Sequence, residues 1–450
     1  MTFASDTNYL AKQRYSNQAT TYRTFVAAAP FLACLLIPLW QVGGLFYFYD
    51  AMAVAAIAYL GFPTSAVSRQ HSLPFWLLSL AIVISTVSGL LWAGVTFHAI
   101  VQPLQCLLAV AYSWMLLTNL GVGRVSAPKL ATLISAGAVL LALVFIAQSI
   151  GFRIAPSLTT EVYRNYLQFS GFTVDFFDRR YLAGVEASGF ARVMGTWDVT
   201  TTAAGMLAMA TLWVLRAPIS HIRKAAILIF IAVALAATGS RHSWILWLLI
   251  AFSFLRSVPS TRSLAWPLVL AALTLTVAST LFLDFGQLED ASDPLLARMQ
   301  RTFQQGLSDS SFQLRYVDGT LRFFQGLAIN PQIAVFGFGV GTEKALYTQL
   351  GSAEFHELAA ANAQWGFVSN GWLLSIRNFG LAGFLALLSL TRRTTPSKSL
   401  LAAVPLFFLL IILADNYSVQ VPRCMLLILA TAAFFIAGQP RTASATASPK

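Results

Sequence analysis

Four stretches of this chain carry residues suited to chemistry at a membrane surface, and three of them centre on arginine. The first is Thr238-Gly239-Ser240-Arg241-His242, set between two apolar runs. An arginine so placed is costly unless it faces a cavity, a partner or water. Its forked guanidinium suits phosphate oxygens, and the adjacent Gly239 and Ser240 let backbone amides approach the same anion. The bland alternative is an arginine resting among the outer headgroups. The second stretch is Gly189-Phe190-Ala191-Arg192-Val193-Met194-Gly195-Thr196-Trp197. It leads into an apolar run, and a helix N-terminus facing outward is a ready anion site; an ordinary loop before a helix reads the same way. The third begins at Arg315 and runs amphipathically through Phe324, then past Asn330-Pro331 to Phe336-Gly337-Phe338-Gly339-Val340-Gly341-Thr342. It reads as a helix over the membrane face followed by a glycine turn, with a solvated surface helix as the alternative. The fourth opens at Ser369-Asn370-Gly371 and continues to Arg377-Asn378-Phe379-Gly380-Leu381-Ala382-Gly383. Asn370 serves either a ligand or an N-cap, and Gly380 and Gly383 allow close helix contact.

The elements that must hold these residues are membrane helices. The chain of 450 residues is 57% hydrophobic and only 10% charged, against roughly 25% charged in soluble domains. About 17–25 apolar residues cross a bilayer core of about 30 Å, and helices satisfy their own backbone there. Alternating ten-residue segments of a β-barrel are absent. The expected fold is therefore all-α: a polytopic membrane bundle of about twelve helices with a large extracytoplasmic loop containing short helices. The spans are expected near Phe25–Trp40, Leu45–Phe62, Pro74–Ala93, Ile100–Leu120, Leu130–Ile150, Val199–Leu215, Ala225–Ala237, Ser243–Leu255, Leu264–Leu283, Gly371–Leu390, Leu400–Ala414 and Val419–Gly438.

The segment from Asp284 to Asn370 holds nine acidic and five basic residues, too many for a bilayer, so it is expected as one extracytoplasmic loop; Phe152–Asp198 is expected as another. Residues 1–24 and 439–450 are expected as a cytoplasmic segment and tail. Basic residues favour the cytoplasmic side of short loops. One set of alternate loops, with both termini, carries 16 basic residues and one acid, Asp6; the other set, with the residues bordering it, carries 13 basic and 16 acidic. The difference, +15 against −3, puts both termini in the cytoplasm. Charge thus lies in short loops rather than on one folded basic face, which excludes nucleic acid as a partner. Cys34, Cys106 and Cys424 fall in separate apolar runs and form no disulfide or metal framework. The five histidines, His71, His98, His221, His242 and His356, are scattered, so no metal is expected. Inside the spans the ionisable residues are Asp50, Arg377 and Arg423, each near the outer end. Ion-coupled transport would want such residues nearer mid-membrane.

Taken in order, Arg192, Ser240-Arg241, Arg315, Gly337-Phe338-Gly339-Val340-Gly341, Asn370 and Gly380-Leu381-Ala382-Gly383 resemble the pattern of the O-antigen polymerase and O-antigen ligase superfamily, which includes exopolysaccharide polymerases. The resemblance covers about Ala191 to Gly383, and its specificity lies in the order of the motifs and the placement of the large loop. It implies a metal-independent glycosyltransferase of the bacterial inner membrane without a cofactor. Its substrate would be an undecaprenyl-diphosphate-linked oligosaccharide in the membrane lipid, and a chain-length regulator and a flippase would be its partners. Arg241 and Arg315, with Arg192, would hold the departing diphosphate; Ser240 and Asn370 would contact substrate. An acceptor hydroxyl calls for a base, and His356, Glu354, Glu357 and Asp318 are the candidates, His356 first. Ligases of this kind carry a histidine beside the asparagine, where this chain has Ser369. That departure favours a polymerase over a ligase. A transporter or flippase is the reading from another class.

Overall fold

The computed structural model describes residues 3–38, 41–42, 46–63, 69–95, 97–149, 200–238, 247–248, 251, 321, 323–324, 327–328, 331–342, 371–393 and 421–438. Their elements, in chain order, are α1 (Phe3–Leu36), β1 (Gln41–Val42), β2 (Phe46–Tyr47), α2 (Phe48–Leu60), α3 (Arg69–Ala93), α4 (Phe97–Gly121), α5 (Ala127–Ser149), α6 (Thr200–Arg216), α7 (His221–Thr238), α8 (Gln332–Phe336), α9 (Gly371–Arg393) and α10 (Val421–Ala437).

Among these residues, five stretches are long and apolar enough to cross a membrane: Asn17–Leu36, Ser72–Leu91, Ala99–Gly121, Ala127–Gln148 and Leu373–Leu390. Shorter apolar helices cover Phe48–Leu60, Thr202–Arg216 and Pro422–Ala437. This is the signature of a helical membrane protein. On α3, Leu73, Trp76, Leu77, Leu80, Val83, Ile84, Val87 and Leu91 are all exposed. Their spacing of three and four residues draws one apolar stripe, the surface that a helix turns toward lipid rather than water.

The expected spans at Ser243–Leu255, Leu264–Leu283 and Leu400–Ala414 lie outside the described residues, apart from helical backbone at 247–248 and 251. Several boundaries differ from expectation by a few residues, and four of the differences bear on the fold. Helix α1 starts at Phe3 rather than Phe25, because polarity argues against a span but not against a helix, and residues 3–24 hold no glycine or proline to stop one. Within the expected span Leu45–Phe62 the helix is α2, which starts only at Phe48; just before it a short antiparallel pair sets Gln41 opposite Tyr47 and Val42 opposite Phe46. Helix α3 begins at Arg69 with Pro74 inside it. Helix α9 runs to Arg393 and is interrupted at Gly380.

The helices pack as a bundle in which α4 and α10 form the most extensive pair, α9 lies on α3, and α1 lies between α2 and α5. The centre is apolar, and its largest buried side chain is Trp213 of α6. Its ring stacks on Phe434 of α10 at 4.2 Å and meets Phe31 of α1 edge-on at 5.1 Å. Its indole N–H donates to Thr431 Oγ1 at 3.0 Å. Without such a partner a buried indole would cost free energy. Polar side chains elsewhere join helices in the same way. Tyr112 donates to the Ala27 carbonyl at 2.6 Å. Asn119 donates to the Gly61 carbonyl at 3.0 Å, where α2 ends. Thr24 of α1 accepts from the Ser126 amide at 3.1 Å just before α5.

Candidate functional site

Arg192, Ser240, Arg241, Arg315, His356 and Asn370 all lie outside the described residues. What the structure does place is the frame between them: the glycine turn after α8 and the helix that follows the large loop.

Helix α9 cannot run straight through Gly380, whose backbone sits at φ 67° and ψ 179°. That region is essentially open to glycine alone. Carbonyls just before a helix end need donors from elsewhere, and lipid offers none. The turn after α8 supplies them: Phe338 N–H donates to the Arg377 carbonyl at 2.6 Å, and Gly339 N–H to the Asn378 carbonyl at 3.1 Å. Both backbones must come very close. A Cβ on Gly337, itself at φ 76°, would lie 2.5 Å from the Gly380 nitrogen, and one on Gly380 would strike the Val335 carbonyl. The other side of the turn rests on α3, where a Cβ on Gly339 would lie 2.9 Å from the Ser85 carbonyl and one on Gly89 would strike the Phe338 carbonyl. Thr342 closes the turn by donating to the Gly339 carbonyl at 2.8 Å. The expected glycine turn is therefore present, and it is inserted between α3 and α9. Gly383 fulfils the expected packing role, since a Cβ there would lie 3.2 Å from Ala81 of α3. Gly380 does something different: it makes room for the inserted turn.

Two side chains at this break are buried. Arg377 is 5% exposed and Asn378 is 1% exposed. The Arg377 Nε–H donates to Asn378 Oδ1 at 3.1 Å.

A second polar cluster joins α2, α4 and α10. Asp50 sits in the first turn of α2, where Oδ2 accepts from the Tyr47 amide at 3.1 Å. This is the acid's half of a capping box, favoured at a helix N-terminus. The same oxygen accepts from Gln105 Nε2 of α4 at 2.9 Å. Arg423 of α10 is fully buried, with its guanidinium carbon 5.1 Å from the Tyr47 ring centre. Tyr47 stacks in turn on Tyr49 at 5.3 Å, and Cys34 of α1 donates from Sγ to the Arg423 carbonyl at 3.6 Å. Asp50 and Arg423 stood out in the sequence only as ionisable residues in apolar runs. Their being brought together by α10 packing on α4 was not readable there, nor was Gln105.

Among the described residues, no group of three His, Cys, Asp or Glu side chains is placed to hold a metal ion. No protein-family model matches this chain, and no curated protein matches it.

Proposed function

We propose that this protein is a polysaccharide polymerase. It would transfer glycan from an undecaprenyl-diphosphate-linked donor to a lipid-linked acceptor at the outer face of the inner membrane. The observation that supports this most is the seam between Gly337–Gly341 and Gly380. Two glycine motifs about forty residues apart, with only Asn370 between them in the order that resembles the polymerase and ligase superfamily, meet as backbone against backbone. The seam joins residues 337–339 to residues 377–380 of α9. In the proposed reaction, an acceptor hydroxyl oxygen bonds to the anomeric carbon of the donor sugar. The bond from that carbon to the diphosphate oxygen breaks, the polyprenyl diphosphate departs with the bonding pair, and the hydroxyl proton passes to a base, His356 being the first candidate. Arg241, Arg315 and Arg192 would stabilise the charge gathering on the diphosphate, and Ser240 and Asn370 would contact the substrate. The ligase alternative is weakened by Ser369, which stands where a ligase carries histidine.

The transporter or flippase alternative has one observation in its favour: Asp50 and Arg423, buried within one cluster of the bundle, are the kind of intramembrane charges that transport pathways use. A single experiment separates all three. In a strain lacking the protein, a missing polymerase leaves single lipid-linked repeat units at the outer face. A missing ligase leaves long lipid-linked chains there, and a missing flippase leaves repeat units at the inner face. Arg241→Ala and Arg315→Ala should reproduce the polymerase phenotype with normal protein level. Full-length polymer from either variant would overturn the assignment of that arginine.

A further inference from the structure

The break in α9 joins three features that point to a ligand. The first is the interruption itself: a membrane helix split by inserted chain is the arrangement from which many membrane proteins build substrate sites. The second is a buried donor beside a buried charge. Arg377 offers five N–H groups and no acceptor. Its Nε–H donates to Asn378 Oδ1 at 3.1 Å, which identifies the other terminal atom of Asn378 as the amide nitrogen. Among the described residues nothing accepts from that nitrogen, although the side chain is only 1% exposed. An unmet donor at this depth carries a desolvation cost that a bound acceptor would relieve. The third is the flank. Val335, Phe336, Leu381 and Leu385 are exposed around the junction at which Val335 and Phe336 touch Gly380. A polar pair beside open apolar surface matches a head that is anionic and a tail that is hydrocarbon.

We propose that Arg377 and Asn378 form an anion subsite that takes a phosphate group of a prenyl diphosphate, with the prenyl chain running past Leu381 and Leu385. This rests on the polymerase reading and adds a binding pair to the arginines it invokes. The guanidinium would supply the charge and the Asn378 Nδ2 a directed hydrogen bond. A purely structural account of the pair, in which Arg377 only balances the carbonyl end of the first half of α9, predicts altered stability and unaltered binding.

The test uses the full-length protein in phosphatidylcholine nanodiscs and farnesyl diphosphate as probe, with thermal unfolding measured alongside. Asn378→Asp keeps the shape and the acceptor for Arg377 but turns the amide donor into a carboxylate oxygen; Arg377→Lys keeps the charge and loses the fork. Each should weaken binding by about tenfold or more, the scale of a lost hydrogen bond to a charged group, with Tm not lowered for Asn378→Asp. Inorganic pyrophosphate should compete with the probe, and phosphatidylglycerol added to the disc should not. If both variants bind like wild type while Arg241→Ala binds weakly, this subsite is wrong and the polymerase reading stands. If the wild-type protein binds no farnesyl diphosphate, both fall. Equal competition by phosphatidylglycerol would make the site a general lipid-phosphate contact and overturn the diphosphate assignment.

Discussion

Asp50 carries two jobs that the sequence does not separate. It caps α2 through the Tyr47 amide, and it accepts from Gln105 within the cluster that also buries Arg423. Replacing the carboxylate by an amide isolates the charge, because the remaining side-chain oxygen can still accept both hydrogen bonds. Asp50→Asn should therefore destabilise the protein by about 1–3 kcal/mol, because the buried Arg423 loses the negative charge in its cluster. Arg423→Gln alone should destabilise it by more, since it also removes the contact over the Tyr47 ring. The double variant should be more stable than the two losses added together, by about 0.5 kcal/mol or more. Unfolding in detergent measures all three, and strict additivity would show that the charges do not couple. At this scale the sequence was partly legible. An acid and an arginine inside apolar runs invite attention on cost alone, yet nothing in their spacing says that residues 50, 105 and 423 converge. The arginines picked out for chemistry, Arg241 and Arg315, lie outside the described residues.

Among the elements, α9 shows what an apolar run reveals and what it conceals. Its apolar length announces a span, and the observed helix starts at the expected Gly371. The interruption at Gly380 could not be read, because glycine is common in unbroken membrane helices. Only the turn arriving from residues 337–341 makes the departure from helix worthwhile. The same limit applies at Phe46-Tyr47-Phe48: an aromatic run reads as continuous span, while the pairing of Val42 with Phe46 that ends the strand depends on a reversal of the chain. A direct check is available at the seam. Gly380→Ala should lower Tm and abolish activity, because an L-residue at φ 67° and ψ 179° costs about 1–3 kcal/mol and the methyl group would strike the Val335 carbonyl. Gly383→Ala separates crowding from backbone strain: its φ is not positive, but a methyl there would strike the Phe379 Cβ and lie 3.2 Å from Ala81, so it should lower Tm too while leaving the turn docked and activity present. Complete loss of activity from both variants would mean that helix packing, rather than the inserted turn, is what matters at this end of α9.

At the scale of the whole molecule, the charge asymmetry predicts an orientation that single-cysteine labelling can test. With Cys34, Cys106 and Cys424 first replaced by alanine, cysteines placed at positions 10 and 445 should be protected from a membrane-impermeant reagent in intact spheroplasts. A cysteine at position 300 should react. The opposite pattern would invert the molecule and put the proposed chemistry on the wrong face. The class of the fold was legible because hydropathy is a property of each segment by itself. The order of packing was not: that α10 sits against α4 while α9 sits against α3 depends on surfaces that no segment contains alone.

The seam at Gly337, Gly339 and Gly380 has an implication for tracing kin of this protein. Where main chain meets main chain, every amino acid but the smallest is excluded, whereas the leucines and valines around it can be traded for one another at little expense. Descendants of a common ancestor could therefore diverge until overall resemblance vanished and still hold this set of small residues at matching intervals, so a profile built on that triad and the split helix would find them where whole-length similarity no longer does.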